Sequence, residues 1–235
     1  MSKPCPLVLT DDHVARVAPV EGLLYNPNWR MLEDGDLDLL AERLTQGRPR
    51  PISIFAYGSL IWNPGFEVQD RRRATAVGWH RDFSLSLDHF RGTPERPGLM
   101  LALSSGGHCE GLVLDITEGT EAASLRTILR RELVAHELAA NACWIDVETD
   151  RGRESALTFY ADPVDTPVAR LTVQEQARRL ATAAGAAGSG AEYLLRTARG
   201  LDELGIHDAY IWTLQKLVAE EIEAAPEFGP TNDAI

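Results

Sequence analysis

A carboxylate set among leucines is the first residue in this chain whose type and position suggest chemistry. From about residue 120 to 137 the sequence reads as a helix with an apolar stripe of Leu125, Ile128, Leu129 and Leu133. At about 100° per residue, Glu132 falls inside that stripe, between Ile128 and Leu129 in angle. Arg130 and Arg131 fall outside it and are expected to face water. A carboxylate drawn out of water must be paired, hydrogen-bonded or protonated. Burial also raises its pKa toward the range useful for proton transfer near neutrality. Periodicity leaves two readings open: a general acid/base, or a structural carboxylate at a helix end paired with an arginine from another element.

The second candidate is Tyr57-Gly58-Ser59-Leu60-Ile61-Trp62, where a strand-like segment (52–57) runs into Gly-Ser. A tight turn there exposes consecutive backbone N–H groups, able to hold a carboxylate or a developing oxyanion without a charged side chain. Gly58 would also suit a positive φ. An ordinary strand-to-turn junction explains the same residues. Other candidates fail on context. His136-Glu137 opens like a zinc-protease helix, but the second histidine position is Ala140. The Gly185–Gly190 segment has glycines spaced like a dinucleotide loop, yet follows a polar helix instead of a buried strand and reads as a helix–helix linker. Ser59 lacks the Gly-x-Ser-x-Gly elbow of a serine hydrolase. Arg71-Arg72-Arg73 reads as a solvated face, or else as a patch that steers an anionic substrate.

The elements that must position these residues follow from local signals. Asp34-Gly35-Asp36 precedes a short amphipathic helix (Leu37, Leu39, Leu40, Leu44) ending near Gly47, within an extension of residues 1–50. Strands are expected at 52–57, 73–79, 82–87, 98–104 and 109–115, separated by Gly, Pro and Ser/Gly clusters. Two more, at 142–149 and 154–161, flank a turn at Asp150-Arg151-Gly152. Thr172 and Glu175 fit a capping box for a helix to about Ala184. A helix over 191–204 ends at Gly205, and Asp208 caps the last one. Strands first, one helix between them and helices last imply an α+β domain with a mainly antiparallel sheet or barrel, residues 51–235.

Composition bounds the rest. Of 235 residues, 44% are hydrophobic and 25% charged, which fits a globular chain with a sizeable core. The net charge of −12 argues against nucleic-acid backbone binding as the main task. Three cysteines (Cys5, Cys109, Cys143) without a Cys-x-x-Cys spacing read as reduced, intracellular thiols. The N-terminus reaches Asp11 and Asp12 too early for a signal peptide, and no apolar run is long enough for a membrane span. A cytoplasmic protein with no membrane partner is expected.

Five segments together carry a resemblance. FAYGSLIWNPGFE (55–67), VGWHRDFSLSL (77–87), RPGLMLALSSGGHCEGLVLDI (96–116), RREL (130–133) and SGAEYLLRTARGLDELGIHD (189–208) resemble, in order, the ChaC-like γ-glutamylcyclotransferases. The resemblance covers residues 52–224. It implies a compact α+β fold around a small, partly closed sheet, no cofactor and no metal. It also implies cleavage of glutathione, a small-molecule substrate, to 5-oxoproline and cysteinylglycine. The family's catalytic glutamate then falls on Glu132, its substrate loop on Tyr57–Trp62, and the tyrosine of its E-Y-L motif on Tyr193. One departure matters. Relatives commonly continue after R-E to a Gly-Gly-Tyr or Gly-Cys-Tyr triplet, where this chain has His136-Glu137-Leu138. Rate and substrate preference are therefore left open, as is oligomeric state. A weakly active or non-catalytic γ-glutamyl-binding or sensing protein stands as the alternative. A dinucleotide-dependent enzyme using the 185–190 loop is the third reading.

Overall fold

The computed structural model describes residues 6–161 and 168–225. They fall into two compact units: a barrel unit, residues 28–85 with 101–161 and 168, and a helical unit built from residues 6–27, 86–100 and 169–225. The residues before Pro51 are shared between the two.

Five strands close the barrel: β1 (Ser53–Ala56), β2 (Val68–Leu87), β3 (Gly98–Ile116), β4 (Ala142–Thr149) and β5 (Gly152–Phe159). Their order around it is β1-β3-β2-β4-β5. β1 runs antiparallel to β3, with Phe55 opposite Val113, and parallel to β5, with Ile54 opposite Leu157; the second pairing closes the ring. Side chains on alternate positions of every strand meet inside, among them Phe55, Ala76, Leu103, Val113, Ile145 and Ala156. Closure removes the open edges that a small sheet would otherwise expose.

β2 and β3 are each one long strand where the glycine clusters suggested two. Gly78 in β2 has φ +87°, and Gly106 and Gly107 in β3 have φ +103° and +72°. These glycines absorb irregular backbone within paired strands and do not end them. The arginine triplet is also not a uniformly solvated face. Arg73 is exposed and pairs with Glu110. Arg72 is 8% exposed and lies among Asp115 (2.7 Å), Asp70 and Glu154. Pleating accounts for the difference, since neighbours on a strand face opposite ways.

Two helices of the barrel unit pack on each other, α2 (Asp34–Thr45) and α4 (Glu121–Glu132). Leu37 and Leu40 face inward, and Arg126 of α4 binds Asp38 of α2 at 2.7 Å. A helix to residue 137 is not observed: α4 stops at Glu132 itself. Beyond Leu133 the chain turns through Val134 (φ +25°), bridges Met31 at Ala135 and makes a 3₁₀ turn at His136–Leu138. His136 lies 3.2 Å from Asp36, and Glu137 accepts a hydrogen bond from the Arg30 N–H at 3.2 Å. Cys109 and Cys143 lie as thiols against the barrel core, and burial pushes Cys143 up to about 11. Cys5 lies outside the described residues.

In the helical unit, α5 (Val173–Thr182) starts with the capping box expected of Thr172 and Glu175. Helix α6 (Gly190–Glu203) is followed by Gly205 at φ +65°, and Asp208 caps α7 (Ala209–Ala224) through the Ile211 N–H at 3.0 Å. A short helix, α1 (Asp11–Ala15), lies within the expected extension. The 185–190 segment contains a minimal hairpin, β6 (Ala184–Gly185) and β7 (Gly188–Ser189), joining α5 to α6. Added side-chain volume at Gly185 would meet the Phe90 carbonyl at 2.4 Å, so these glycines serve packing. No helix among the described residues is long and apolar enough to cross a membrane.

Candidate active site

Glu132 occupies the place that periodicity marks. Leu125, Ile128 and Leu129 of its helix are buried, as is Leu133, and the carboxylate lies on the same side. Its side chain keeps 23% exposure, so it is lodged in protein without being sealed from solvent. Among the described residues the cation paired with it is Arg131, whose Nη2 is 3.9 Å away, beyond hydrogen-bond distance. Loss of hydration pushes the Glu132 carboxyl above the usual glutamate range, and the Arg131 charge pulls against this without cancelling it. The arrangement is a poorly compensated carboxylate with an open side.

The Tyr57–Trp62 segment lies in the same unit. β1 ends at Ala56, and Ser59–Trp62 form a single helical turn, α3. Gly58 is its N-cap and supplies no side chain to cap the first amides. Its φ is −139°, so the left-handed reading of this glycine does not hold. Tyr57, Ser59 and Trp62 are half-buried, while Leu60 and Ile61 anchor the turn in the core.

What joins this loop to Glu132 is Arg131. Its Nη1 donates to the carbonyls of Asn63 (2.7 Å) and Pro64 (3.0 Å), and its Nη2 reaches Ser59 Oγ at 3.4 Å. The expectation that Arg131 faces water is therefore corrected; its side chain is 29% exposed and engaged. Arg130 is the exposed one, paired with Asp34. Helical angle placed Arg131 off the apolar stripe, and nothing in the periodicity reveals that a loop covers that flank.

Gly65 makes room for this clamp. It sits at φ +74°, and a Cβ there would lie 2.6 Å from Arg131 Nη1. Gly65→Ala is expected to cost about 1–2 kcal/mol from the left-handed backbone alone, and to displace the guanidinium from the loop. The result should be a melting temperature lower by about 2–8 °C, together with a several-fold loss of turnover. Unchanged melting and unchanged kinetics would rule out a role for the clamp.

A second arginine holds the other end of the loop. Arg81 of β2 is 3% exposed; its Nε donates to the Tyr57 carbonyl at 3.1 Å and its Nη2 to the Glu110 carbonyl. In a trans peptide the C=O and the following N–H point in opposite directions. Fixing the Tyr57 carbonyl on Arg81 therefore turns the Gly58 N–H away from it. The sequence carried a signal for this residue: Trp79, Arg81 and Phe83 alternate on one face of the strand, which puts a guanidinium among aromatic rings.

Tyr193 belongs to the helical unit, in α6. It is 4% exposed, its ring faces the Arg91 guanidinium at 5.4 Å, and its carbonyl accepts from Thr197. Leu138 lies at the end of the 3₁₀ turn that follows Glu132.

Comparison with known proteins bears on the family and the fold. A family model described as ChaC-like protein matches residues 52–221. The glutathione-specific gamma-glutamylcyclotransferase of Escherichia coli (strain K12) is 35% identical over 175 residues, 72% of this chain and 75% of the relative. The human glutathione-specific gamma-glutamylcyclotransferase 1 is 26% identical over 196 residues, 80% of this chain and 86% of the relative. Among solved structures, a yeast gamma-glutamyl cyclotransferase specific to glutathione superposes with a TM-score of 0.64 at 19% identity, covering 72% of this chain and 96% of that one. The five-stranded barrel with its helices is thus a γ-glutamylcyclotransferase fold. The chain belongs to the ChaC-like family.

Proposed function

We propose that this protein is a glutathione-specific γ-glutamylcyclotransferase, releasing 5-oxoproline and cysteinylglycine, with Glu132 as general acid/base. The observation that carries the proposal is the half-open, weakly compensated Glu132 carboxylate, tied through Arg131 to a loop whose first helical amides have no side-chain cap.

The γ-glutamyl group carries its own nucleophile. Its α-amine is spaced to close a five-membered ring on the γ-carbonyl, and holding that conformer gives a large effective-molarity advantage. The protein has four tasks: fold the substrate, deprotonate the ammonium, steady the oxyanion and protonate the leaving nitrogen. Glu132 takes a proton from the substrate ammonium, and the freed amine attacks the γ-carbonyl. Collapse of the tetrahedral intermediate breaks the C–N bond to the cysteinyl residue. Glu132 relays protons from the ring nitrogen to the departing amine and ends as it began, a carboxylate. N–H groups of Gly58, Ser59 and Leu60 hold the substrate carboxylate or the oxyanion. Tyr57 supplies a hydroxyl, Ile61 seats the turn, and Trp62 forms a wall. Tyr193 enters on the E-Y-L resemblance as a further substrate residue. The reaction calls on no metal, nucleotide or covalent enzyme intermediate, and we assign it to the cytoplasm.

Leu138 favours a second reading, a slow enzyme or γ-glutamyl sensor, because no hydroxyl stands at that position. One panel separates the two: glutathione, γ-glutamylalanine and γ-glutamyl-ε-lysine are incubated with the purified protein and 5-oxoproline is measured. Release from glutathione above the other two supports the proposal. Saturable glutathione binding without release supports the sensor.

A further inference from the structure

Tyr160 takes no part in the mechanism above, yet the barrel places it beside the residues that do. β1 and β5 run parallel with Ile54 opposite Leu157, so three residues on, Tyr57 and Tyr160 stand level where both strands end. Both pack against the interior cluster to which all five strands contribute. Three residues before it on β5, Ala156, Leu157 and Thr158, are fully buried, and Phe159 is 5% exposed. Tyr160 is half-open. An inward-facing aromatic that becomes accessible only at the strand's end marks the mouth of the barrel, at the end where Tyr57 begins the loop.

Two more contacts define its surroundings. The Trp79 ring meets the Tyr160 ring edge-on, centroids 5.9 Å apart at 65°, and so backs it from β2. The Tyr160 N–H donates to the Asn141 carbonyl at 3.1 Å, and Asn141 closes the segment that leaves Glu132 and leads into β4. Tyr160 therefore has the Tyr57 loop on one side and the chain descending from Glu132 on the other.

From this position we infer that Tyr160 is a substrate-contacting residue, its ring forming, with Trp79 behind it, the wall that packs the apolar methylene chain of the γ-glutamyl group. The inference rests on the proposed reading of the Glu132 site. Aromatic rings bury apolar area at little cost in side-chain freedom, which suits a flexible two-methylene chain that must be held folded. Such packing is equal in ground and transition states, so it acts on KM more than on kcat.

Binding is measured by titration calorimetry in the Glu132→Gln background, so that affinity is read without turnover. Glutathione and 5-oxoproline are the probes, and Tyr160→Val and Tyr160→Phe are the variants. Valine keeps a strand-forming residue, and phenylalanine keeps the ring. Tyr160→Val is expected to weaken both probes at least tenfold, and Tyr160→Phe by less than about threefold. In the otherwise unaltered enzyme, Tyr160→Val should raise KM about tenfold with kcat within threefold. Unchanged affinity in a folded Tyr160→Val protein overturns the inference, as does a tenfold loss in Tyr160→Phe, which requires the hydroxyl and not the ring. Should Tyr160→Val fail to fold, Tyr160→Leu, which keeps apolar bulk without the ring, replaces it under the same criteria: a loss of at least tenfold sustains the inference and unchanged affinity overturns it. Absence of 5-oxoproline release by the unaltered enzyme sinks the cyclotransferase reading, whereas Tyr160-dependent binding sustains this inference independently.

Discussion

Glu132→Gln is expected to fold as the parent does and to lose 5-oxoproline release by about 10²–10⁴-fold, the usual worth of a positioned general base. Glutamine has nearly the same volume and keeps hydrogen-bonding capacity, but cannot take the ammonium proton. Stability should move the other way. An acid whose folded pKa is raised carries a penalty once it must ionise. Stability is therefore lost as pH rises from the ordinary glutamate range through the raised Glu132 value, and is unaffected below it, where folded and unfolded forms are both protonated. The glutamine variant escapes the penalty. It should melt at or above the parent temperature near about pH 7, with the difference vanishing toward about pH 4. Activity within twofold of the parent would remove Glu132 from the mechanism; a large drop in melting temperature at neutral pH would make it a structural carboxylate.

Arg81→Ala should be the most damaging change outside the carboxylate. It deletes two charge-assisted hydrogen bonds inside the barrel, to the carbonyls of Tyr57 and Glu110. Each is worth about 1.5–3 kcal/mol, so a loss of about 3–6 kcal/mol is expected, or a melting temperature lower by about 6–24 °C. Turnover should fall further than the folded fraction explains, because the peptide joining Tyr57 to Gly58 loses its fixed orientation. Arg81→Lys, which reaches one carbonyl, should recover part of the stability and less of the activity. Thermal melts and glutathione kinetics on the same samples test both parts. A shift of under about 1 kcal/mol would show that the two carbonyls find other donors.

Much of the architecture is written in short-range chemistry. Thr172 with Glu175, Asp208 and Gly205 bound their helices because caps act within a turn of the chain. The β4–β5 hairpin is likewise local, with Gly152 at φ +107° in its turn. Glu132 is legible because a charge on an apolar stripe is a conflict that the fold must resolve. Less legible is whatever depends on distant pairing. Gly78, Gly106 and Gly107 look like punctuation until partner strands hold them in register. The helix stop at Glu132 depends on Met31 and Arg30 arriving from an earlier segment to bind the turn that follows. Arg131 and Tyr160 gain their meaning from a loop and a barrel mouth that helical angle and strand alternation do not bring together in one dimension.

The most direct test of the central claim, that the substrate's own amine displaces the peptide at the Glu132 site, is cleavage of glutathione in ¹⁸O-labelled water with the products read by mass spectrometry. Intramolecular attack forms the ring C–N bond as the peptide leaves, so no water oxygen enters. The account predicts 5-oxoproline and cysteinylglycine in equal amounts, the 5-oxoproline without label. Glutamate carrying one ¹⁸O would contradict it, since that product requires water as the nucleophile and a hydrolase in place of a cyclotransferase.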